Sequence, residues 1–213
     1  MSEIFIIGAG GHGSVVAETA SLLGYTISGF IDDNPEFIGA KVLDWNVLGD
    51  CSLIPDGATV ALGIGQNSVR SRLINFAKAH AWELPVIAHP SAVISPSAVL
   101  GQGTVVMAQV AVIAKANIGM GCILNTGCSV DHDCILGDFV HIAPGARLAG
   151  YVTVGEETLV GVGSSVKPCI NIGSDCIIGA GSAVVKDIPD SVVASGNPAR
   201  VKNISKPGLK RKS

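Results

Sequence analysis

One short segment of this 213-residue chain concentrates the side chains that could carry out acid–base chemistry. In the polar stretch from Asn125 to Cys134, His132 is flanked by two carboxylates, Asp131 and Asp133. A carboxylate hydrogen-bonded to one imidazole nitrogen fixes the tautomer and raises the basicity of the other nitrogen, as a general base requires. The alternative interpretation is a surface histidine in a solvated polar turn, and the spacing alone does not separate the two.

This segment lies inside a run of hexapeptide repeats that extends from Val93 to Ile188. A period of six fits neither an α-helix nor a plain strand, and it is typical of a parallel β-helix whose coils stack on one another. We expect the aliphatic residue of each repeat to fill the interior and a small residue four positions later to occupy the corner. Glycines directly after the aliphatic residue, such as Gly101 and Gly119, are predicted to relieve turns with positive φ. The sixteen aliphatic positions are Ile94, Leu100, Val106, Val112, Ile118, Leu124, Val130, Leu136, Ile142, Leu148, Val154, Val160, Val166, Ile172, Ile178 and Val184.

The region before the repeats carries a nucleotide-binding pattern. Residues 3–7 are predicted to form a buried strand, and Gly8-Ala9-Gly10-Gly11-His12-Gly13 follows it. Residues 14–23 are then predicted to form a helix, and a second strand at 26–31 ends in Asp32-Asp33. Strand, G-x-G-x-x-G, helix, strand and acid form the context of a nucleotide-binding βαβ unit, in which the helix N-terminus faces a phosphate or a sugar hydroxyl.

Three further elements complete this region: a strand at 59–64 closed by Gly65-Gln66-Asn67, a helix at 69–81 and a strand at 84–88. The sequence therefore predicts an α/β, Rossmann-like half domain over residues 1–90. An all-β, left-handed parallel β-helix is predicted over 91–190. Residues 191–213 are predicted to contain a last strand at 192–194 and a basic tail.

Composition restricts the class of protein. Hydrophobic residues make up 48% of the chain but aromatic residues only 4%, which fits a core too narrow for rings. No apolar run reaches the roughly 18 residues needed to span a membrane. The N-terminus lacks a basic region before its short apolar run, so we expect a cytoplasmic protein without membrane insertion. Of six cysteines, Cys122, Cys128 and Cys134 recur at inward positions, which favours small core side chains over a thiolate metal cluster.

Charge is distributed unevenly along the chain. Residues 1–90 contain four basic and nine acidic side chains (−5), and residues 91–199 contain four and eight (−4). The last fourteen residues carry six basic side chains and no acid (+6), which gives the net charge of −3. An acidic body argues against nucleic acid as the main partner. The basic end is interpreted as a solvated terminus, or as a segment that attracts a polyanionic ligand.

The repeats and several local motifs together resemble the left-handed β-helix, hexapeptide-repeat nucleotide-sugar N-acetyltransferases. The chain is similar to the bacterial UDP-4-amino-sugar acetyltransferases of bacillosamine synthesis and to the GDP-perosamine N-acetyltransferases, and sialic-acid O-acetyltransferases look similar too. The motifs are the glycine loop 8–13, Asp32-Asp33, Gly63-Ile64-Gly65-Gln66-Asn67, Ile87-Ala88-His89-Pro90-Ser91-Ala92, Asn125-Thr126, Val130-Asp131-His132-Asp133-Cys134 and Gly196-Asn197-Pro198-Ala199.

The resemblance implies direct acetyl transfer from acetyl-CoA to the 4-amino group of a nucleotide-linked amino-deoxy sugar, without a metal. The acceptor that it favours is UDP-4-amino-4,6-dideoxy-N-acetylglucosamine, with GDP-perosamine or sialic acid as alternatives. It implies a homotrimer with active sites between subunits, His132 as the general base, Asp133 as the residue that tunes it, and Asn125 near the sugar amine. The residues implied for the nucleotide sugar are Gly10, Gly11, His12, Asp32, Asp33 and Gly65, and those implied for acetyl-CoA are His141, Val162, Ala180 and Gly181.

Three other hypotheses fit parts of the sequence less well. A hexapeptide-repeat zinc hydratase needs three histidine ligands, whereas the repeats contain only His132 and His141. A dehydrogenase needs a full dinucleotide-binding fold, and the N-terminal region has only half of one. A non-enzymatic nucleotide-sugar sensor or scaffold would not require the acidic neighbours of His132.

Overall fold

A five-stranded sheet with two helices forms the N-terminal unit of the computed structural model, which describes residues 2–202. The strand order is β3-β4-β2-β1-β5, parallel except for the β3–β4 hairpin. The predicted strands at 3–7 and 26–31 are confirmed, whereas the short β3–β4 hairpin was not predicted. The elements are β1 (Glu3–Ile7), α1 (Gly11–Leu22), β2 (Thr26–Ile31), β3 (Lys41–Val42), β4 (Trp45–Gly49), a 3-10 turn (Cys51–Leu53), β5 (Val60–Leu62) and α2 (Asn67–Ala79).

Several predicted boundaries change. Helix α1 begins at Gly11 rather than at residue 14, so the second half of the glycine motif forms the first helical turn. The strand predicted at 84–88 is shorter than predicted. Only β6 (Ile87–Ala88) is extended, and it pairs with the β-helix strand β9 (Val105–Val106) instead of joining the N-terminal sheet. Pro85 precedes β6 and has no backbone N–H to donate, which fits the late start of the strand.

The rest of the described chain is a parallel β-helix with coils of 18 residues, as the pairing of Ala111 with Val93 and of Ser129 with Ala111 shows. Three sheets form its faces, and their strands are parallel except for the last pair on face 1. Face 1 contains β6, β9, β12 (Ile123–Leu124), β15 (His141–Ile142), β18 (Leu159–Val160), β21 (Ile177–Ile178), β23 (Val193–Ser195) and β24 (Arg200–Lys202). Face 2 contains β7 (Val93–Ile94), β10 (Ala111–Val112), β13 (Ser129–Val130), β16 (Arg147–Leu148), β19 (Ser165–Val166) and β22 (Ala183–Val184). Face 3 contains β8 (Val99–Leu100), β11 (Asn117–Ile118), β14 (Ile135–Leu136), β17 (Thr153–Val154) and β20 (Asn171–Ile172).

Each aliphatic residue of the repeat is the second residue of a two-residue strand, and from Val106 to Val184 these side chains form one buried core. From Thr104 onward the small residues four positions later are also buried, and several of the polar ones donate to a carbonyl of the following coil. Thr104 Oγ1 donates to Gly119 O at 2.9 Å, and Cys122 Sγ to Gly137 O at 3.2 Å. The expectation that Cys122, Cys128 and Cys134 are core side chains is confirmed, and burial raises the pKa of the Cys128 thiol to about 12.

The predicted role of the glycines that directly follow the aliphatic residue was wrong. Positive φ falls three positions after the aliphatic residue instead, at Gly121 and at non-glycine residues such as Asp133. Gly101 and Gly119 are required for a different reason. A Cβ on Gly119 would stand 2.7 Å from the backbone nitrogen of Asp138 in the next coil. Close stacking of the coils, rather than backbone conformation, therefore explains these glycines.

The chain end combines confirmed and unpredicted features. The last predicted strand is confirmed as β23, and β24 adds an antiparallel partner that was not predicted. Arg200 and Lys202 of the basic segment lie in β24, and the remainder of that segment, residues 203–213, lies outside the described part of the chain. Within residues 2–202, neither helix has the length and apolar character that crossing a bilayer demands.

Candidate active site

His132 lies in the turn between face 2 and face 3, directly after β13. Its Nδ1 is 2.9 Å from Asp133 Oδ2, and its backbone N–H donates to Asp131 Oδ1 at 2.7 Å. The two neighbouring carboxylates therefore have separate roles, because Asp133 contacts the ring and Asp131 holds the backbone. The His132 side chain is 47% exposed, so part of the ring is open to solvent.

The backbone at Asp133 contributes to this geometry. Asp133 has a φ of 56°, in the left-handed region that aspartate and asparagine tolerate better than most residues. Its backbone N–H donates to Ala114 O of the preceding coil at 3.0 Å, which anchors the turn. When Nδ1–H donates to the Asp133 carboxylate, Nε2 is left with a free lone pair. The pair thus has the arrangement of a histidine general base with an orienting acid.

Two residues of the next coil complete the surroundings of His132, and neither was singled out from the sequence. Gly150 follows His132 by one coil, and a Cβ there would stand 2.6 Å from both Cε1 and Nε2 of the ring. Tyr151 packs against the imidazole edge-on, with ring centroids 5.2 Å apart, and its backbone N–H donates to His132 O at 3.0 Å. Adding the coil length of 18 to residue 132 is the sequence signal that would have identified Gly150.

A second group of the predicted residues lies at the turns between face 1 and face 2. Asn125 Nδ2 is 3.2 Å from Nε2 of His141, which is the outward residue of β15. Val162 and Ala180 occupy equivalent turns on later coils, and Val162 is 54% exposed. A Cβ on Gly181 would meet open space. These residues therefore form one column along the edge of the β-helix.

The two groups do not meet within one chain. The His132 turn and the Asn125 turn lie at opposite edges of face 2, separated by strand β13. The two histidines of the zinc hypothesis therefore occupy different edges. Across residues 2–202 there is no group of three or more His, Cys, Asp or Glu side chains placed to hold a metal ion.

The glycines of the N-terminal motif fall into two classes. Gly8 and Gly13 are packed, since a Cβ on Gly8 would stand 2.8 Å from Gly63 O and a Cβ on Gly13 would overlap Gly8 O. Gly10, Gly11 and Gly65 border open space, with no atom within 4 Å of an added Cβ. The first class closes the β1–α1–β5 packing. The second class leaves backbone accessible at the N-terminus of α1, where an anion is favoured.

Asp32 serves the glycine loop directly. Its Oδ2 accepts the Ala9 N–H at 2.8 Å, and its Oδ1 accepts the Asn34 N–H at 3.0 Å. The neighbouring Asp33 is exposed. Asp32 therefore fixes the conformation of the glycine loop. A change at Asp32 would alter nucleotide binding at least through the position of this loop.

His12 projects from the first turn of α1 and is half-buried. Among the described side chains, its Nε2 is a buried atom with no hydrogen-bond partner. Burial, and then the positive charge of Arg70, lowers the pKa of His12 to about 4. The imidazole is therefore neutral at pH 7 and keeps an unused hydrogen-bonding position beside the glycine loop.

A cavity of about 470 Å³ separates α1 from the Asn125 edge of the β-helix. Two of its lining residues, Ala108 and Thr126, occupy the same turn position on successive coils, at the edge that carries the predicted acetyl-CoA residues. The cavity therefore extends that column of residues toward the N-terminal unit. Its lining residues are Val15, Glu18, Thr19, Ser21, Leu22, Trp45, His89, Ala108 and Thr126.

Comparison with known proteins assigns both units. The family model described as PglD N-terminal domain matches residues 3–76. The acetyltransferase domain of PglB from Neisseria gonorrhoeae, solved with acetyl coenzyme A, is 43% identical with a TM-score of 0.89, over 94% of this chain and 98% of that one. PerB from Caulobacter crescentus, solved with CoA and GDP-perosamine, is 44% identical with a TM-score of 0.90, over 95% of this chain and 98% of that one.

A curated relative of another specificity matches part of the chain only. The acyl-(acyl-carrier-protein)–UDP-N-acetylglucosamine O-acyltransferase of Burkholderia lata is 39% identical over 83 residues, which is 39% of this chain and 32% of that protein. The chain thus spans about a third of the length of such curated relatives. The fold and these matches identify a hexapeptide-repeat acyltransferase. With the full-length matches above, the chain belongs to the left-handed β-helix nucleotide-sugar N-acetyltransferases.

Proposed function

We propose that this protein transfers the acetyl group of acetyl-CoA to the 4-amino group of a nucleotide-linked amino-deoxy sugar. The observation that carries the proposal is the pair formed by His132 and Asp133, 2.9 Å apart at an exposed turn of the β-helix. The PglB acetyltransferase domain was solved in complex with acetyl coenzyme A, and PerB in complex with CoA and GDP-perosamine, which supports the same substrate classes here.

The proposed reaction is direct transfer without an enzyme-bound acetyl group. The neutral amine of the sugar attacks the thioester carbonyl, and Nε2 of His132 takes the proton that the new ammonium loses. Collapse of the tetrahedral intermediate breaks the C–S bond, and the histidine returns the proton to the departing thiolate of CoA. Asp133 holds the Nδ1 proton and stabilises the imidazolium that forms between the two steps. A backbone N–H lining the groove would stabilise the oxyanion.

The buried cysteines have no part in this reaction. Burial raises the pKa of the Cys122 and Cys128 thiols to about 12, so the reactive thiolate is suppressed at neutral pH. The Sγ atoms of Cys122 and Cys134 also donate to carbonyls of the following coil. Their chemistry and position both favour attack by the substrate amine itself over a cysteine-bound intermediate.

The complete site is proposed to form between two chains of a homotrimer. Asn125 and His141 lie at one edge of face 2 and His132 at the other, so a groove that uses both edges needs a neighbouring copy. In this arrangement the column of His141, Val162, Ala180 and Gly181 takes acetyl-CoA, and Asn125 lies near the sugar amine. Gly10, Gly11, His12, Asp32, Asp33 and Gly65 hold the nucleotide.

The choice of nucleotide and sugar needs a direct test. Two acceptors are equally supported: UDP-4-amino-4,6-dideoxy-N-acetylglucosamine and GDP-perosamine. We also propose that the protein acts in the cytoplasm, in glycan biosynthesis. The test is release of CoA thiol from acetyl-CoA with a UDP-4-amino sugar, GDP-perosamine or sialic acid. Rapid release with one 4-amino sugar supports the proposal. Release with sialic acid alone indicates an O-acetyltransferase, and no release with any acceptor indicates a nucleotide-sugar-binding scaffold.

A further inference from the structure

Arg70 of α2 is a buried cation at the junction between the nucleotide-binding unit and the β-helix. Arg70 is only 1% exposed, which is uncommon for an arginine. A guanidinium has five N–H donors, and Arg70 makes five hydrogen bonds: to Gly121 O (2.8 Å), Ile64 O (3.1 Å), Gly65 O (3.0 Å), Asn67 Oδ1 (2.9 Å) and Phe139 O (2.8 Å). The side chain is therefore fully satisfied in one fixed orientation.

The acceptors of Arg70 come from two parts of the molecule. Ile64 and Gly65 belong to the loop after β5, which borders the open space beside the glycine motif. Gly121 and Phe139 occupy equivalent turns between face 3 and face 1 on successive coils. Asn67 extends the connection, because its Nδ2 donates to Glu157 O at 2.8 Å, one coil further on. One side chain and its helical neighbour thus join the loop to three consecutive coils.

This junction continues into the glycine motif by direct packing. A Cβ on Gly8 would stand 2.8 Å from Gly63 O and 2.9 Å from Ile64 Cγ1, so the two loops are in contact. Gly63 lies equally close to Gly13, since a Cβ on Gly63 would stand 2.6 Å from the Gly13 Cα. A displacement of residues 63–65 would therefore move the nucleotide-facing edge of the motif as well.

The choice of arginine at this position is informative. Filling an interface with apolar side chains costs less free energy than burying a charged one. Each acceptor of Arg70 is a carbonyl or amide oxygen rather than a carboxylate. No acid is hydrogen-bonded directly to this charge, although the Glu157 carboxylate lies near enough to offset part of it. The influence of the Arg70 charge reaches the glycine loop, because it contributes to the low pKa of His12. A positive potential at this point favours an anion such as the diphosphate of a nucleotide sugar.

We infer that Arg70 is a positioning residue for the nucleotide end of the substrate. It holds the Ile64–Gly65 loop, which borders the proposed nucleotide site, in a fixed position against the β-helix that carries His132. Its positive charge adds to the attraction of the diphosphate. The inference rests on the proposed function for the identity of the ligand. It concerns binding rather than the acetyl-transfer step, so it can fail or succeed separately.

The test compares R70Q, R70K and a matched control, R72Q, which removes the same charge from an exposed position two residues along α2. Affinities for UDP, GDP and coenzyme A are measured by calorimetry. For whichever nucleotide the wild type binds, we expect R70Q to weaken affinity by about tenfold or more and R70K to restore only part of it, because an ammonium cannot span the same acceptors. The affinity of R70Q for coenzyme A should remain within about twofold of the wild-type value. All affinities of R72Q should also remain within about twofold of wild type.

A purely structural role would give a different pattern, in which R70Q lowers the affinity for UDP or GDP and for coenzyme A together. That pattern, or unchanged nucleotide affinity in R70Q, overturns the inference. If R70Q does not fold, Asn67→Ala decides, because it removes both the contact to Glu157 O and one acceptor of Arg70, and it should weaken nucleotide binding by about threefold. Unchanged binding in that variant also overturns the inference.

The same data separate this inference from the proposed function. Nucleotide binding that weakens in R70Q, in a wild type that releases no CoA thiol with any acceptor, supports the positioning role and contradicts the acetyltransferase proposal. Thiol release by a wild type whose nucleotide affinity is insensitive to R70Q supports the enzyme and contradicts the positioning role. A wild type that binds neither UDP nor GDP contradicts the positioning role.

Discussion

The imidazole of His132 lies against the backbone of Gly150, one coil further along the chain. A Cβ on Gly150 would stand 2.6 Å from both Cε1 and Nε2 of that ring. Gly150 has no positive φ, so alanine is compatible with its backbone, and the three atoms nearest to the added Cβ all belong to His132. The absence of a side chain at position 150 therefore determines where the proposed base can lie.

Gly150→Ala should lower kcat by about ten- to a hundredfold, because displacing a catalytic group by an ångström is costly. The KM values should change little. The double mutant provides the control: in a His132→Ala background, Gly150→Ala should cost no stability, whereas in the wild type overpacking should cost about 1–3 kcal/mol. An equal loss of stability in both backgrounds would show that Gly150 is required for another reason.

Asp133→Asn should reduce kcat by about 10- to 10³-fold while preserving the fold. Asparagine tolerates the φ of 56° at this position, so the substitution removes the charge with little backbone strain. The carboxylate that holds Nδ1 is lost, and the histidine loses its preferred tautomer and the stabilisation of its protonated form. Asp131→Asn is the matched comparison, because Asp131 contacts the backbone N–H of His132 and not the ring. A larger loss of kcat in Asp131→Asn would reverse the assignment of the two acids.

Two glycines in one turn of α1 should respond in opposite ways to alanine. Gly11→Ala should leave thermal stability unchanged or slightly raised, since the added Cβ meets open space and alanine favours the helix. It should nevertheless weaken nucleotide binding by about tenfold, because the methyl group occupies space proposed for the ligand. Gly13→Ala should fail to fold stably, as its Cβ would overlap Gly8 O. Wild-type nucleotide affinity in Gly11→Ala would place the ligand elsewhere.

His12 should make the protein less stable in acid. Its pKa is lowered from 6.5 to about 4 in the folded state, so the unfolded chain binds the proton first as the pH falls. The stability associated with neutral His12 is complete above pH 6.5 and is lost progressively toward pH 4. The maximum loss is about 3 kcal/mol. Denaturation midpoints of wild type and His12→Asn measured across this range test the effect, which should be smaller in the variant. Parallel curves for the two proteins would contradict it.

The hexapeptide period was sufficient to predict the β-helix and its buried aliphatic positions. The turns were less predictable, because their geometry depends on contacts between coils. Gly101 and Gly119 are close to the backbone of the next coil, and nothing in a six-residue period distinguishes that requirement from a need for positive φ. The β3–β4 hairpin was missed because its turn at Leu43 and Asp44 contains neither glycine nor proline.

The candidate site shows the same limit. His132 and its acidic neighbours are adjacent in sequence, so a local pattern is sufficient to predict them. Gly150 and Tyr151 are one coil away, and they follow from the sequence only once the coil length is known to be 18 residues. Arg70 had no local pattern to mark it, because an arginine on a helix is expected in solvent. Only the packing of two units reveals that it is buried.

The proposed function depends above all on His132 as the base for acetyl transfer to a nucleotide-linked 4-amino sugar. The most direct measurement is kcat for CoA release by wild type and His132→Ala with the best acceptor of the panel, with oligomeric state determined for both. We predict a fall in kcat of about 10²–10⁴-fold with an unchanged assembly. Turnover by His132→Ala equal to that of wild type would contradict the assignment.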